Sequence, residues 1–193
     1  MKNKNKVKRD IIEVAASIFS RFGYKKTTME DIASAFGMGK SSLYYYFRSK
    51  EEIFEAVVIH EAELLKKSLQ EVLIQYKDPR SRLKNYILVR MKVLKRLSNY
   101  YNAIFSPDLS HFHFIEKIRE RYDKEELQTV ERILLEGARL HTFKIENTRL
   151  AATAICTAMK GLEIPLFWKN KESEMENRLD DILLILFYGI IKR

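Results

Sequence analysis

Residues 37–47 read GMGKSSLYYYF, followed at once by RSKEEIF over 48–54. Three consecutive tyrosines, Tyr44, Tyr45 and Tyr46, cannot share one buried face, because a helix turns about 100° per residue and a strand alternates sides at every step. At least one ring faces outward. On a helical wheel with Leu43 at zero, Phe47 falls at about 40° and Lys40 at about 60°, with Lys40 at the open end. Tyr45 lies at about 200°, between Ser41 at about 160° and Ser42 at about 260°. Leu43 and Phe47 therefore form the inward stripe, and Ser41, Ser42 and Tyr45 the outward face. Small hydroxyls let a helix enter a groove closely, and lysine reaches guanine or phosphate. Tyrosine hydroxyls commonly meet phosphate oxygens, which set position and not sequence.

The stretch belongs to a helical chain. Upstream, Ile11, Ile12, Ala15, Ile18, Phe19 and Phe22 recur at three- and four-residue spacing and predict a helix over about 6–22, stopped by Gly23. TTMED starts a second helix, with Thr27 or Thr28 as cap and Met29, Ile32, Ala33 and Phe36 on its core side. Gly37 ends it, and the next helix opens at Gly39 or Lys40. Two short helices joined by a tight glycine turn form a helix-turn-helix. Ser49 and Glu52 in SKEE make a capping box for a long helix over about 50–76. Its apolar positions are Ile53, Phe54, Val57, Leu64, Leu65, Leu69, Val72 and Leu73. Asp78-Pro79 opens a fifth helix, about 79–97. Residues 98–114, SNYYNAIFSPDLSHFHF, read as irregular and aromatic. Residues 115–141 read as helical but mixed, either continuous or broken near Tyr122-Asp123. Two further helices, 147–168 and 176–191, complete an all-α chain.

Composition supports this. Only three prolines and six glycines occur in 193 residues, and 46% of the chain is apolar. The single cysteine, Cys156, excludes an internal disulfide and a cysteine-based zinc site, and fits a reduced, cytoplasmic setting. The basic N-terminus leads into helical periodicity and does not read as a signal peptide. The longest apolar run, Ile182 to Ile191, is too short to span a bilayer, so no membrane association is expected. The net charge of +9 is uneven: residues 1–50 hold 11 Lys/Arg against 4 Asp/Glu, while residues 51–193 hold 24 against 22. A basic head on a nearly neutral body is the footprint of a polyanion-binding module joined to something else. The expected organisation is a helix-turn-helix DNA-binding domain over 1–50 and a helical regulatory and dimerisation domain over 51–193.

The run from Ile11 through Phe54, AAxxFxxxGYxxTTMEDIAxxFGMGKSSLYYYFRSKEEIF in outline, resembles the DNA-binding domain of the TetR family of bacterial regulators. The resemblance covers about the first quarter of the chain. It implies a three-helix head whose third helix enters the major groove of double-stranded DNA. By position, it implies base-edge contacts from Lys40, Ser41 and Ser42, and phosphate contacts from Thr28, Tyr44, Tyr45 and Lys50. Two positions depart from the family pattern. Gly39 stands where a serine is often found, which leaves that helix without a side-chain cap. Tyr46 stands where histidine is common.

In the body, Ala151, Ala152, Ala154, Ala158 and Gly161 allow close helix approach. Leu179, Ile182, Leu183, Leu186 and Ile190 make a continuous stripe that Leu184, Ile185 and Phe187 broaden. A helix apolar most of the way round must be covered on both sides, which suits a homodimer interface; burial within one monomer is the other way to cover it. Dimers reading two half-sites are also the usual remedy for the weakness of a lone recognition helix. Met91, Tyr100, Tyr101, Phe105, Phe112, Phe114, Met159 and Trp168 are candidates to line a cavity for a small apolar or aromatic effector. His111 and His113, with Asp108 nearby, lack the convergent ligands of a metal site, so neither metal nor other cofactor is expected. No glycine-rich phosphate loop, activated nucleophile or isolated carboxylate pair supports an enzyme. The leading expectation is a ligand-responsive repressor that binds a palindromic operator as a dimer and is released by an inducer. The alternative is a non-regulatory DNA-associated adaptor that presents its helical body to a protein partner.

Overall fold

The computed structural model describes residues 2–105, 109, 112–169, 181, 184 and 185; of these, 2, 3, 101, 104, 105 and 162–169 are described by backbone alone. Among the described residues there is no strand. The elements are α1 (Lys2–Phe22), α2 (Met29–Phe36), α3 (Lys40–Tyr46), α4 (Lys50–Gln75), α5 (Pro79–Arg96), α6 (Ser98–Phe105), α7 (His113–Arg139) and α8 (Thr148–Lys169).

Caps and turns follow the residues that signalled them. Thr28 is the N-cap of α2: its hydroxyl accepts from the Asp31 N–H, and the Asp31 carboxylate accepts from the Thr28 N–H at 2.8 Å. Gly37 ends α2 at φ 78°, left-handed backbone that favours glycine. Its N–H turns back to carbonyls of the last turn, Ala33 and Ser34. Gly39 is the N-cap of α3 without any side-chain hydrogen bond. At α4 the Glu52 N–H donates to Ser49 Oγ at 3.1 Å, but the Glu52 carboxylate accepts from the N–H of Arg48, one residue further back than a capping box requires.

Three expectations change, and one that was left open is decided. α1 begins a turn earlier than Lys6, in a run of lysines and asparagines where apolar periodicity is silent and lysine is a good helix former. Phe22, counted in the α1 core stripe, is exposed, with the Arg21 guanidinium 5.1 Å from its ring. Residues 98–105 are helical, not irregular. Their inward side is Asn99, Tyr100 and Ala103, so a buried amide interrupts the apolar pattern. α7 is one helix through Tyr122 and Asp123; the Asp123 carboxylate meets Lys160 Nζ at 2.7 Å and so belongs to a packed surface, not a break. The expected helix at 176–191 lies outside the described residues except for 181, 184 and 185, which are helical. No described helix is long and apolar enough to cross a membrane.

The chain forms two compact units, Met1–Lys66 with Arg96–Glu120, and Lys67–Lys95 with Arg121–Arg193. The first has an apolar centre of Ile11, Ala15, Phe19, Ile32, Leu43, Phe47, Ile53, Phe54 and Val57, all nearly sealed from solvent. Aromatic rings close it: Phe54 meets Phe19 edge to face at 5.2 Å between centroids, and Tyr24 meets Phe112 edge to face at 5.2 Å. The second unit is built on Leu83, Tyr86, Ile87, Met91, Val130, Ile133, Leu134, Ala152, Cys156 and Met159. There the buried Arg90 guanidinium pairs with Glu126. Burial, with the Glu126 charge adding to it, pushes the Cys156 thiol up to about 12.

Among the described residues, the buried side chains of Thr27, Glu61 and Asn99 in the first unit all form hydrogen bonds. Thr27 Oγ1 donates to the Gly23 carbonyl at 2.8 Å. Glu61, on α4, accepts from Asn99 Nδ2 at 2.6 Å and from the Tyr100 N–H at 2.8 Å. Asn99 also donates to the Ala16 carbonyl of α1 at 2.9 Å. Three helices are thus joined through one buried amide, Asn99 of α6, which reaches Glu61 on α4 and Ala16 on α1. Replacing Glu61 with alanine leaves two buried N–H groups unmatched, and the expected loss is about 2–4 kcal/mol at neutral pH, measured by urea unfolding. Burial raises the Glu61 carboxyl above its ordinary range, so the folded state holds that proton to higher pH than the unfolded state does. Its contribution is full below the unfolded titration and falls as pH rises through the raised value. The stability gap between wild type and Glu61→Ala is therefore widest in acid and narrows with rising pH.

Candidate nucleic-acid interface

α3 has seven residues, too few for a stable helix on its own. Leu43 and Phe47 are buried and fix its rotation. The opposite side is open: Tyr45 is 67% exposed, Tyr44 45%, and Ser41 and Ser42 are exposed beside them. Tyr46 is half-buried, its ring edge to face with Tyr45 at 5.1 Å. The wheel drawn from the sequence thus describes the outward face correctly, and Tyr46 stands on its shoulder.

The candidate cations are engaged within the head. Lys40 forms an exposed ion pair with Glu30 on the first turn of α2, which lowers the Glu30 titration and raises that of Lys40. An exposed pair of this kind adds little stability, so the Lys40 ammonium can pass to another acceptor at small cost. Lys50 is more firmly held. Its ammonium donates to the carbonyls of Tyr24 and Thr27, each at 2.8 Å, and lies 4.3 Å from the centre of the Tyr24 ring. Burial lowers its titration. An ammonium has three donors, so one remains for an external acceptor. Thr28 is exposed, with its hydroxyl shared with Asp31.

Sequence reasoning missed the partners Glu30, Tyr24 and the 23–28 turn carbonyls, because they come from elements distant in the chain. It also did not single out the N-terminal lysines, although Lys4 Nζ lies 4.2 Å from the centre of the Tyr45 ring. The spacing of Lys4 and Lys8 from Ile11 and Ala15 carried that signal.

The cavity candidates fall into different units. Tyr100 and Phe112 are buried in the first, where Phe112 stacks on Phe114 at 5.5 Å between centroids. Met91 and Met159 are buried in the second. The side chains of Tyr101, Phe105 and Trp168 lie outside the described residues, as do His111 and Asp108. Among the described residues no cluster of three or more metal-ligating side chains occurs. Of the dimer candidates, Ala154 and Gly161 are exposed and Ala151 and Ala158 half-buried. They share α8 with Leu150, which is 66% exposed. Leu179, Ile182, Leu183, Leu186 and Ile190 lie outside the described residues; Leu184 and Ile185 beside them are each more than half exposed.

Lys50 has a structural duty that a purely surface cation would lack. Lys50→Ala is expected to destabilise the head by about 1–3 kcal/mol, read by chemical unfolding, because two turn carbonyls lose their donor. No change in stability would place the ammonium in solvent.

The geometry has known counterparts. Residues 11–57 match the family model for bacterial regulatory proteins, tetR family. The Staphylococcus aureus (strain Newman) biofilm operon icaADBC HTH-type negative transcriptional regulator IcaR is 46% identical over 52 residues, 27% of this chain and 28% of that protein. The match thus spans little more than a quarter of the relative's length. A transcriptional regulator from Cytophaga hutchinsonii ATCC 33406 is 27% identical with a TM-score of 0.77, covering 95% of this chain and 98% of that one. A protein from Saccharomonospora viridis, solved in complex with choline, has a TM-score of 0.83 at 20% identity, covering 98% of this chain and 100% of that one. The head over residues 11–57 is thus similar to that of bacterial regulatory proteins of the tetR family, and the helical fold of the described residues is similar to that of the Cytophaga hutchinsonii regulator.

Proposed function

We propose that this protein is a transcriptional regulator, a dimeric repressor that occupies a palindromic DNA operator and is released by a small-molecule inducer. The observation that carries the reading is α3: a short helix anchored by Leu43 and Phe47 that turns Ser41, Ser42 and Tyr45 outward in the most basic part of the chain. Ser41, Ser42 and Lys40 read base edges, while Tyr44, Tyr45, Thr28 and the remaining Lys50 donor hold phosphates. The Staphylococcus aureus relative, described as a negative transcriptional regulator, favours repression. The effector occupies the body. The Saccharomonospora viridis protein in complex with choline supports a small organic ligand in this fold. Linkage then sets the mechanism: an inducer that binds the DNA-free conformation more tightly lowers operator affinity by the same factor.

Dimerisation uses the open face of α8. Leu150, Thr153, Ala154, Thr157 and Gly161 are exposed at three- and four-residue spacing, and a Cβ built on Gly161 would meet no atom within 4 Å. Small side chains on such a stripe let a second helix approach closely. Leu184 and Ile185 add exposed apolar surface.

Two measurements test the reading. Once the occupied genomic sites are mapped, Ser41→Ala and Lys40→Ala are expected to change base preference at particular operator positions by about 1–3 kcal/mol each; a uniform loss at all sequences would remove them from the base-reading set. Ala154→Glu alters a side chain exposed in the single chain, so it is expected to leave the fold intact and yield monomers with poor operator affinity. An intact dimer in sedimentation would move the interface elsewhere.

A further inference from the structure

The buried stripe of α1 changes character towards its start. Lys4 precedes Ile11 by seven residues and Lys8 precedes Ala15 by seven, and seven residues bring a helix back to within about 20° of the same direction. Both lysines therefore stand on the face that carries Ile11, Ala15 and Phe19, not on the solvent side where a merely solubilising lysine belongs. The ring contacts agree: Lys4 Nζ lies 4.2 Å from the centre of the Tyr45 ring, and Lys8 Nζ 5.0 Å from that of Phe47. Those two rings mark the outward and inward sides of α3. A ring face attracts an ammonium without cancelling its charge, unlike the carboxylate that meets Lys40. The first turn of α1 itself holds no acidic residue.

We propose that Lys4 and Lys8 bind DNA phosphates, and that the nucleic-acid surface continues from α3 along the first two turns of α1. The proposal rests on the reading of the outward face of α3 as the DNA-facing side. A strand whose phosphate meets Tyr45 passes well within a Debye length, about 10 Å at 0.1 M salt, of the Lys4 ammonium. Each lysine that meets a phosphate displaces condensed counterions and steepens the salt dependence of binding. The contacts carry no sequence information, so they strengthen binding to any duplex.

The test uses the full-length protein and a duplex of mixed sequence, with affinity measured across a range of KCl concentrations. Lys4→Gln/Lys8→Gln is expected to flatten the slope of log affinity against log salt by about 0.9 for each lysine and each head. Lys4→Gln alone, at an exposed position that cannot unfold the head, is expected to give half that change. Lys4→Arg/Lys8→Arg should retain the wild-type slope. Lys6→Gln/Arg9→Gln removes the same charge from the opposite face of α1 and should leave the slope nearly unchanged. An unaltered slope in the Lys4/Lys8 glutamine variants, or an equal drop in the Lys6/Arg9 variant, overturns the proposal while leaving the DNA-binding reading in place. A wild-type protein that binds no duplex at all overturns both.

Discussion

A two-turn helix survives in water only if something else holds it, and for α3 that is the burial of Leu43 and Phe47. Burying one such side chain contributes about 1.5–3 kcal/mol, comparable to the whole deficit of a helix this short. The same two residues decide which way every other side chain of α3 points. Tyr45 is outward because Leu43 is inward. The turn that delivers α3 is fixed by Gly37, whose left-handed backbone closes α2 and leaves room for Gly39 to open the next helix. Since no side chain caps α3 at Gly39, the helix depends all the more on its two anchors.

Around this point, charge serves two ends. Lys50 ties the 24–27 turn to the start of α4, and its ammonium lies over the same Tyr24 ring that closes the aromatic core. Glu30 holds Lys40 near the first turn of α2. Basic residues that a charge map would count as equivalent thus differ in how freely they reach outward. Elsewhere in the first unit, Glu61 and Asn99 tie α4 and α6 to α1 through buried hydrogen bonds. Such bonds are directional, so a shift of α6 is felt at the Ala16 carbonyl of α1, the first helix of the head.

Much of the head was legible in the sequence because its signals are local. Glycine stops, the Thr28 cap and the wheel of residues 40–47 each depend on neighbours within four positions. The failures share a different cause. α6 was read as irregular because Asn99 is polar, and its burial makes sense only with Glu61, thirty-eight positions away, as partner. Continuity at Tyr122-Asp123 stayed open because the partner of Asp123 is Lys160 of α8, thirty-seven positions away. Phe22 looked like core because periodicity does not say where the core ends. For the site, side-chain direction was recoverable from spacing, but the occupancy of each ammonium was not. Aromatic residues of the body could be recognised as buried without any sign of which unit each would join.

The thiol of Cys156 is enclosed in the second unit and stays protonated across the physiological range. Thiolate is the reactive form towards oxidants and alkylating agents, so the chain's one cysteine is chemically silent while the unit is folded. Electrophile signals that act on thiolates have no ready handle on the folded unit through Cys156. The same silence leaves a clean background: a cysteine introduced on the outward face of α3 or α8 would be the one reactive thiol in the folded chain, and its rate of labelling would report directly whether that face is covered.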